Sequence, residues 1–90
     1  MSPETGGAAA LNKLIAANLR AERARARVTQ NTVAAAMRDA GFGWHQQRCS
    51  AVEHGHSPLS AAEVITLAGV LSVPVGMLLR VTPTPEGITP

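Results

Sequence analysis

Two helix heads separated by a glycine-punctuated stretch constrain this chain more than any other feature. Thr29 is a residue type that caps a helix. Gln30 follows as the first helical residue, and Val33, Ala34 and Met37 recur at the spacing of one inward face. Gly41 falls where a helix end favours a left-handed residue. A second head follows at Gln46-Gln47-Arg48. That helix is predicted to run from His45 or Gln46 to Glu53, with Trp44, Cys49 and Val52 turned inward. Two helices arranged this way form a helix-turn-helix.

The flanking segments read as helices too. From Leu11 the spacing is helical: Leu11, Leu14, Ile15 and Leu19 share one face, with Lys13, Arg20 and Arg23 off it. This helix is expected to end near Ala26. Ser60 to Glu63 has the pattern of a capping box, followed by the stripe Val64, Leu67, Ala68 and Leu71. Pro74 suits the first turn of a short fifth helix holding Val75, Leu78 and Leu79. Residues 1–9 read as a flexible arm, 10–80 as one domain, and 81–90, rich in Thr and Pro, as a disordered tail. No segment alternates for long in the manner of a strand. The predicted class is all-α, a compact five-helix domain.

Ninety residues leave room for one domain with a modest core. The formal net charge is +2, but it is unevenly spread. Residues 11–56 carry seven basic side chains against three acidic ones, a net +4, and the remainder is net −2. The basic part is the part with the two helix heads, which is the footprint of phosphate contact. A single cysteine excludes an internal disulfide and fits a reducing, cytoplasmic setting. No signal peptide or membrane span is visible.

The side chains at the second head suit nucleobase edges. Glutamine offers adenine a paired donor and acceptor, and arginine offers guanine two donors. Gln46, Gln47 and Arg48 are therefore the candidate base contacts, with Ser50 and Ala51 further along; Ala51 suits a thymine methyl group. Arg20, Arg25, Arg27 and Arg38 either neutralise phosphates or solubilise their helices. His54 is a candidate phosphate contact, and Gly55, His56 and Ser57 offer backbone amides or form a simple turn.

Taken in order, Asn18-Leu19-Arg20 with Arg23, Thr29-Gln30, Val33-Ala34, Gly43 through Glu53, Gly55, Pro58, Leu67-Ala68 with Leu71, and Val73 through Leu79 fall within a span from Leu14 to Leu79, about 65 of the 90 residues. This series resembles the Cro/CI-like (XRE) family of helix-turn-helix regulators, which includes the lambdoid phage repressors. The resemblance implies a Cro/CI-type, lambda-repressor-like fold whose second and third helices bind double-stranded DNA. It implies base reading by Gln46 and Gln47, a phosphate contact at Thr29 and Gln30, and an internal ion pair between Arg23 and Glu53. Two features depart from the family pattern. The stretch from Ala34 to Gly43 is longer by about one helical turn, so residues 37–42 must extend helix two or loop out; this is similar to a variant among actinobacterial members. His45 stands where Ser or Thr usually caps the reading helix, a loss of about 1 kcal/mol. It is instead a candidate phosphate contact.

Together these readings lead to the expectation of a DNA-binding transcriptional regulator, homodimeric at least on DNA, without cofactor or small-molecule ligand. The alternative is a protein-interaction module, antitoxin-like or an adaptor, on the same fold. A nonspecific DNA binder is a third possibility. No nucleophile–base–orienter set is evident, so no enzymatic activity is expected. His45, Cys49, His54 and His56 lie close in sequence, but Cys49 occupies an aliphatic slot and no metal site is expected. Trp44, just before the reading helix, is read as core.

Overall fold

The computed structural model describes residues 7–81. Five helices follow in order: α1 (Gly7–Ala26), α2 (Gln30–Asp39), α3 (Gln46–Glu53), α4 (Ala61–Val70) and α5 (Gly76–Leu79). There is no strand among the described residues, and the chain is all-α. Helix α1 packs on α3 and α5, α2 packs on α3 and α4, and α4 meets α5. Leu19, Val33, Met37, Trp44, Cys49, Val52, Leu67 and Leu78 close the core between them.

Helix α1 departs from expectation at its beginning. Residues 7–9, read as arm, are helical, because the alanines there are the strongest helix formers and need no burial to stay wound. Leu11, expected inside, is 56% exposed. The buried stripe runs instead through Ala16, Asn18, Leu19 and Glu22. The 20-residue α1 is much longer than the helices it packs on, α3 with eight residues and α5 with four, so part of its length has no helix against it. The remaining arm (1–6) and the tail from 82 to 90 lie outside the described residues.

The longer link between α2 and α3 is accommodated in both ways anticipated. Residues 37–39 add to α2, and Ala40 caps it. Gly41 (φ 99°) and Gly43 (φ 66°) then take left-handed conformations that only glycine adopts without strain. The Gly41 amide donates to Arg38 O (2.9 Å) and the Phe42 amide to Met37 O (3.0 Å), which is a Schellman ending. Arg38 Nη1 donates to Trp44 O at 2.7 Å and braces the far side of the link. Helices α1, α3 and α4 end with the same pair of bonds around Arg27 (φ 60°), Gly55 (φ 75°) and Ser72 (φ 58°).

The starts of α2 and α4 follow the sequence signals, whereas α5 begins only at Gly76 with Val75 as its N-cap, so Pro74 precedes the helix instead of lying in its first turn. Thr29 Oγ1 accepts the Thr32 amide at 3.0 Å. The capping box of α4 is complete: Ser60 Oγ accepts the Glu63 amide (3.1 Å) and Glu63 Oε1 accepts the Ser60 amide (2.9 Å). Buried Asn18 donates from Nδ2 to Leu78 O (2.8 Å) and Arg80 O (2.7 Å), which ties the end of α5 to α1.

Candidate functional site

Helix α3 is eight residues long, and successive residues are about 100° apart around its axis. Its faces therefore separate cleanly. Cys49, Val52 and Glu53 are buried. Gln47 and His54 are exposed, with Ser50 and Ala51 half-buried between them at helical spacing. Gln46 lies on the flank toward α2, and Arg48 on the flank toward α4.

The α2 flank is organised by a chain of side chains. Arg23 on α1 donates from Nε to Glu53 Oε2 (2.5 Å) and from Nη2 to Glu53 Oε1 (3.1 Å). Gln30 Nε2 donates to the same Oε1 at 3.1 Å. Gln30 Oε1 in turn accepts from Gln46 Nε2 at 2.7 Å. Burial pushes the Glu53 carboxyl up, but the bonds from Arg23 and Gln30 and the Arg23 charge outweigh it, and its pKa lies below the ordinary carboxylate value. Gln46 is exposed yet held through its amide. The Gln47 side chain, also exposed, makes no hydrogen bond among the described residues.

The α4 flank holds Arg48. Its Nη2 donates to Pro58 O (3.0 Å) and approaches Glu63 Oε2 at 3.2 Å, while its guanidinium lies 5.2 Å from the Trp44 ring centroid. The Trp44 indole N–H donates to Glu63 Oε2 at 2.8 Å. Trp44 is fully buried and makes a buried indole's expected search for a partner good with a carboxylate. Arg48 is thus turned away from Gln46, because two residues along a helix is a rotation of about 200°.

The other candidates divide into engaged and open groups. Arg20 Nη1 donates to Glu53 O at the end of α3, Arg38 braces the α2–α3 link, and Arg25 pairs with Glu22 at 2.8 Å. Arg27 is exposed. Thr29 is exposed but spends its hydroxyl on capping α2. His45 is the N-cap of α3, is exposed, and makes no side-chain cap bond. His54 Nδ1 lies 2.7 Å from Ser50 O, so that nitrogen carries the proton, and its ring stacks on His56 at 5.9 Å. Among the described residues no group of three or more metal-ligating side chains is gathered. Cys49 is buried, with Sγ 3.7 Å from Glu53 Oε2.

Two relationships escaped the sequence reading. The Ser60–Glu63 box was visible, but the use of the same carboxylate by Trp44 and Arg48 was not, since nothing local joins residues 44, 48 and 63. The Gln30–Gln46 bond had a partial signal: both are amides at helix heads.

A second surface lies across α1, α4 and α5. Ile15, Leu59, Ala61, Val64, Ile65, Val75 and Leu79 line an open apolar groove of about 330 Å³. Ile65 and Leu79 on its rim are 60% and 47% exposed. No described helix is long and apolar enough to cross a membrane. Comparison of the chain with protein-family models, curated proteins and solved structures finds no match.

Proposed function

We propose that this chain is a sequence-specific double-stranded DNA-binding regulator of the Cro/CI type, in which α2 and α3 act as a helix-turn-helix and α3 enters the major groove. The observation that carries the reading is the head of α3. Gln46 and Gln47 are both exposed there, and Gln46 is held in place through Gln30. A glutamine amide whose direction is set before binding is suited to read a base edge. Around it, Arg27 and His45 are exposed and available to phosphates, as are the donors Arg20 and Arg38 leave unused. Control is by occupancy in the cytoplasm: bound protein blocks or recruits other factors at the site.

One such module buries limited surface, so a homodimer on two half-sites about one DNA turn (~34 Å) apart is part of the proposal. Selection from a random duplex pool tests it. The winning sequence should bind at least about 10³-fold more tightly than scrambled DNA at fixed salt, and a ratio below about tenfold would reject a specific regulator. Replacing Gln46 and Gln47 together by Ala should abolish the preference while circular dichroism and melting stay near wild type.

The alternative, a protein-interaction module of antitoxin or adaptor kind, is favoured by the apolar groove between α1, α4 and α5. It predicts that no duplex from the pool is enriched.

A further inference from the structure

Glu53 is fully buried, yet it is linked to the exposed first amide of α3 through one intermediate residue. An ionised carboxylate only accepts hydrogen bonds. Gln30 must therefore turn its NH2 toward Glu53 and its carbonyl oxygen away from it. That oxygen only accepts, so Gln46 must turn its own NH2 toward Gln30. The orientation of two amides, each of which is otherwise free to rotate by half a turn, is dictated by a single buried charge. Glu53 itself is held by the two bonds from Arg23.

We infer that Glu53 is a positioning residue that sets base specificity at Gln46, through the Glu53–Gln30–Gln46 relay. This inference rests on the DNA-reading proposal above. The relay consumes one of the two N–H groups of Gln46 and leaves one N–H and the carbonyl oxygen unspent. That remaining pair matches the N7 acceptor and N6 amino donor of adenine. Guanine presents two acceptors, N7 and O6, and its O6 meets the Gln46 oxygen acceptor to acceptor. If Gln30 no longer holds it, the amide is free to rotate and to direct both N–H groups at guanine. The buried charge thus works against guanine at a base it never approaches.

The test uses the full chain and three variants. Gln30→Met keeps the length of the side chain, cuts the relay and leaves the Arg23–Glu53 pair untouched. Glu53→Gln keeps the shape and removes the charge that fixes the polarity. Gln46→Ala removes the reader. Affinities are measured for the selected duplex and for duplexes with guanine in place of each adenine in turn, at fixed salt and at a temperature where melting curves show every variant folded. Wild type should prefer adenine by about tenfold or more at one position per half-site, and Gln46→Ala should lose that preference. Gln30→Met should then lower the adenine-to-guanine ratio at that same position by about tenfold, with ratios elsewhere unchanged. Glu53→Gln should lower it in the same direction, and a Glu53→Gln ratio equal to wild type in the folded variant overturns the role of Glu53. A Gln30→Met ratio equal to wild type, with Gln46→Ala still losing discrimination, overturns the relay and leaves base reading standing. Absence of any base preference in wild type overturns the DNA-reading proposal itself, and the relay with it.

Discussion

The Arg23 guanidinium and the Glu53 carboxylate meet edge to edge, with Nε 2.5 Å from Oε2 and Nη2 3.1 Å from Oε1. Glu53 is 1% exposed and Arg23 22%. The pair joins α1 to α3 and gives the floor on which Gln30 rests. A buried carboxylate left without its cation is costly, whereas an exposed pair contributes little.

Removal of one partner should reflect that difference. Arg23→Ala is expected to cost about 3 kcal/mol, the lower end for a buried pair because the arginine is partly solvated. For a domain of this size that lowers the melting midpoint by at least about 12 °C. Arg25→Ala removes a single bond to Glu22, whose carboxylate is itself only 4% exposed, but the arginine is 59% exposed and water can take its place, so the cost should be smaller, about 1–2 kcal/mol. Thermal melts of both at neutral pH check the contrast; equal losses would show that the exposure of the arginine does not govern these pairs.

Acid should destabilise the fold through the same carboxylate. Glu53 has a folded pKa below its ordinary value, and so has Glu63, where burial pushes up but the Ser60 amide, the Trp44 indole and the Arg48 charge outweigh it. A depressed folded pKa means the unfolded chain takes up protons first. The stabilisation is complete above the unfolded value, about 4.3, and is lost as pH falls through the lower folded values. Melting midpoints should be flat from pH 7 to about 5 and should fall steeply below about 4.3. Glu53→Gln should shift the whole curve down and flatten its acid limb. A midpoint that holds between pH 5 and 3 contradicts the assignment.

Glu63 does three things at once: it closes the capping box of α4, accepts the Trp44 indole N–H and faces Arg48. Glu63→Ala removes all three and orphans a buried indole donor, for an expected loss of about 2–4 kcal/mol. Ser60→Ala breaks only the cap and should cost about 1 kcal/mol. Trp44 is the only tryptophan and there is no tyrosine, so its fluorescence follows the α3–α4 junction during urea unfolding. Equal losses for the two variants would mean that Trp44 and Arg48 draw nothing from the carboxylate.

Particular residues explain what the sequence made legible. Thr29, Gly41 and the Ser60–Glu63 box act on backbone groups within a few residues of themselves, so helix ends could be placed from local chemistry alone. The core residues of α2 to α4 followed from helical spacing. Leu11 misled because spacing tells which residues share a face but not how far the partner helices extend along it. In the candidate site, Gln46 and Gln47 were legible as polar side chains on a short helix. The turn of Arg48 toward Glu63 and the Gln30–Gln46 bond were not, because they depend on how α3 is rotated between α2 and α4.

Ser72 is a non-glycine residue held at φ 58° in the ending of α4. The left-handed region costs an L-residue about 1–2 kcal/mol, and glycine occupies it without that penalty but loses about 0.4–1 kcal/mol through its freer unfolded chain. The Ser72 side chain is exposed, so little contact is forfeited. Ser72→Gly should therefore stabilise the fold by about 0.5–1 kcal/mol, read as a higher urea midpoint with an unchanged slope. A loss of stability would mean that the serine hydroxyl contributes more than the backbone strain.

Cys49 should be inert in the folded chain and ordinary in the unfolded one. Burial first, and then the Glu53 carboxylate 3.7 Å away, which repels a thiolate and accepts the S–H, push its thiol up to about 12. At pH 8 roughly one part in ten thousand is then ionised, and only the thiolate reacts with an alkylating agent. Steric closure adds to this, since Cys49 has no exposed surface. Labelling by iodoacetamide at pH 8 should be at least about 10³-fold slower in buffer than in denaturing urea, because the folded thiol waits for an opening event. If that opening is global, Ser72→Gly should slow labelling in proportion to its gain in stability, although it lies in a different part of the chain. If α3 opens alone, Ser72→Gly should leave the rate unchanged while Arg23→Ala speeds it. Native labelling within about tenfold of the urea rate would contradict both the burial of Cys49 and its contact with Glu53.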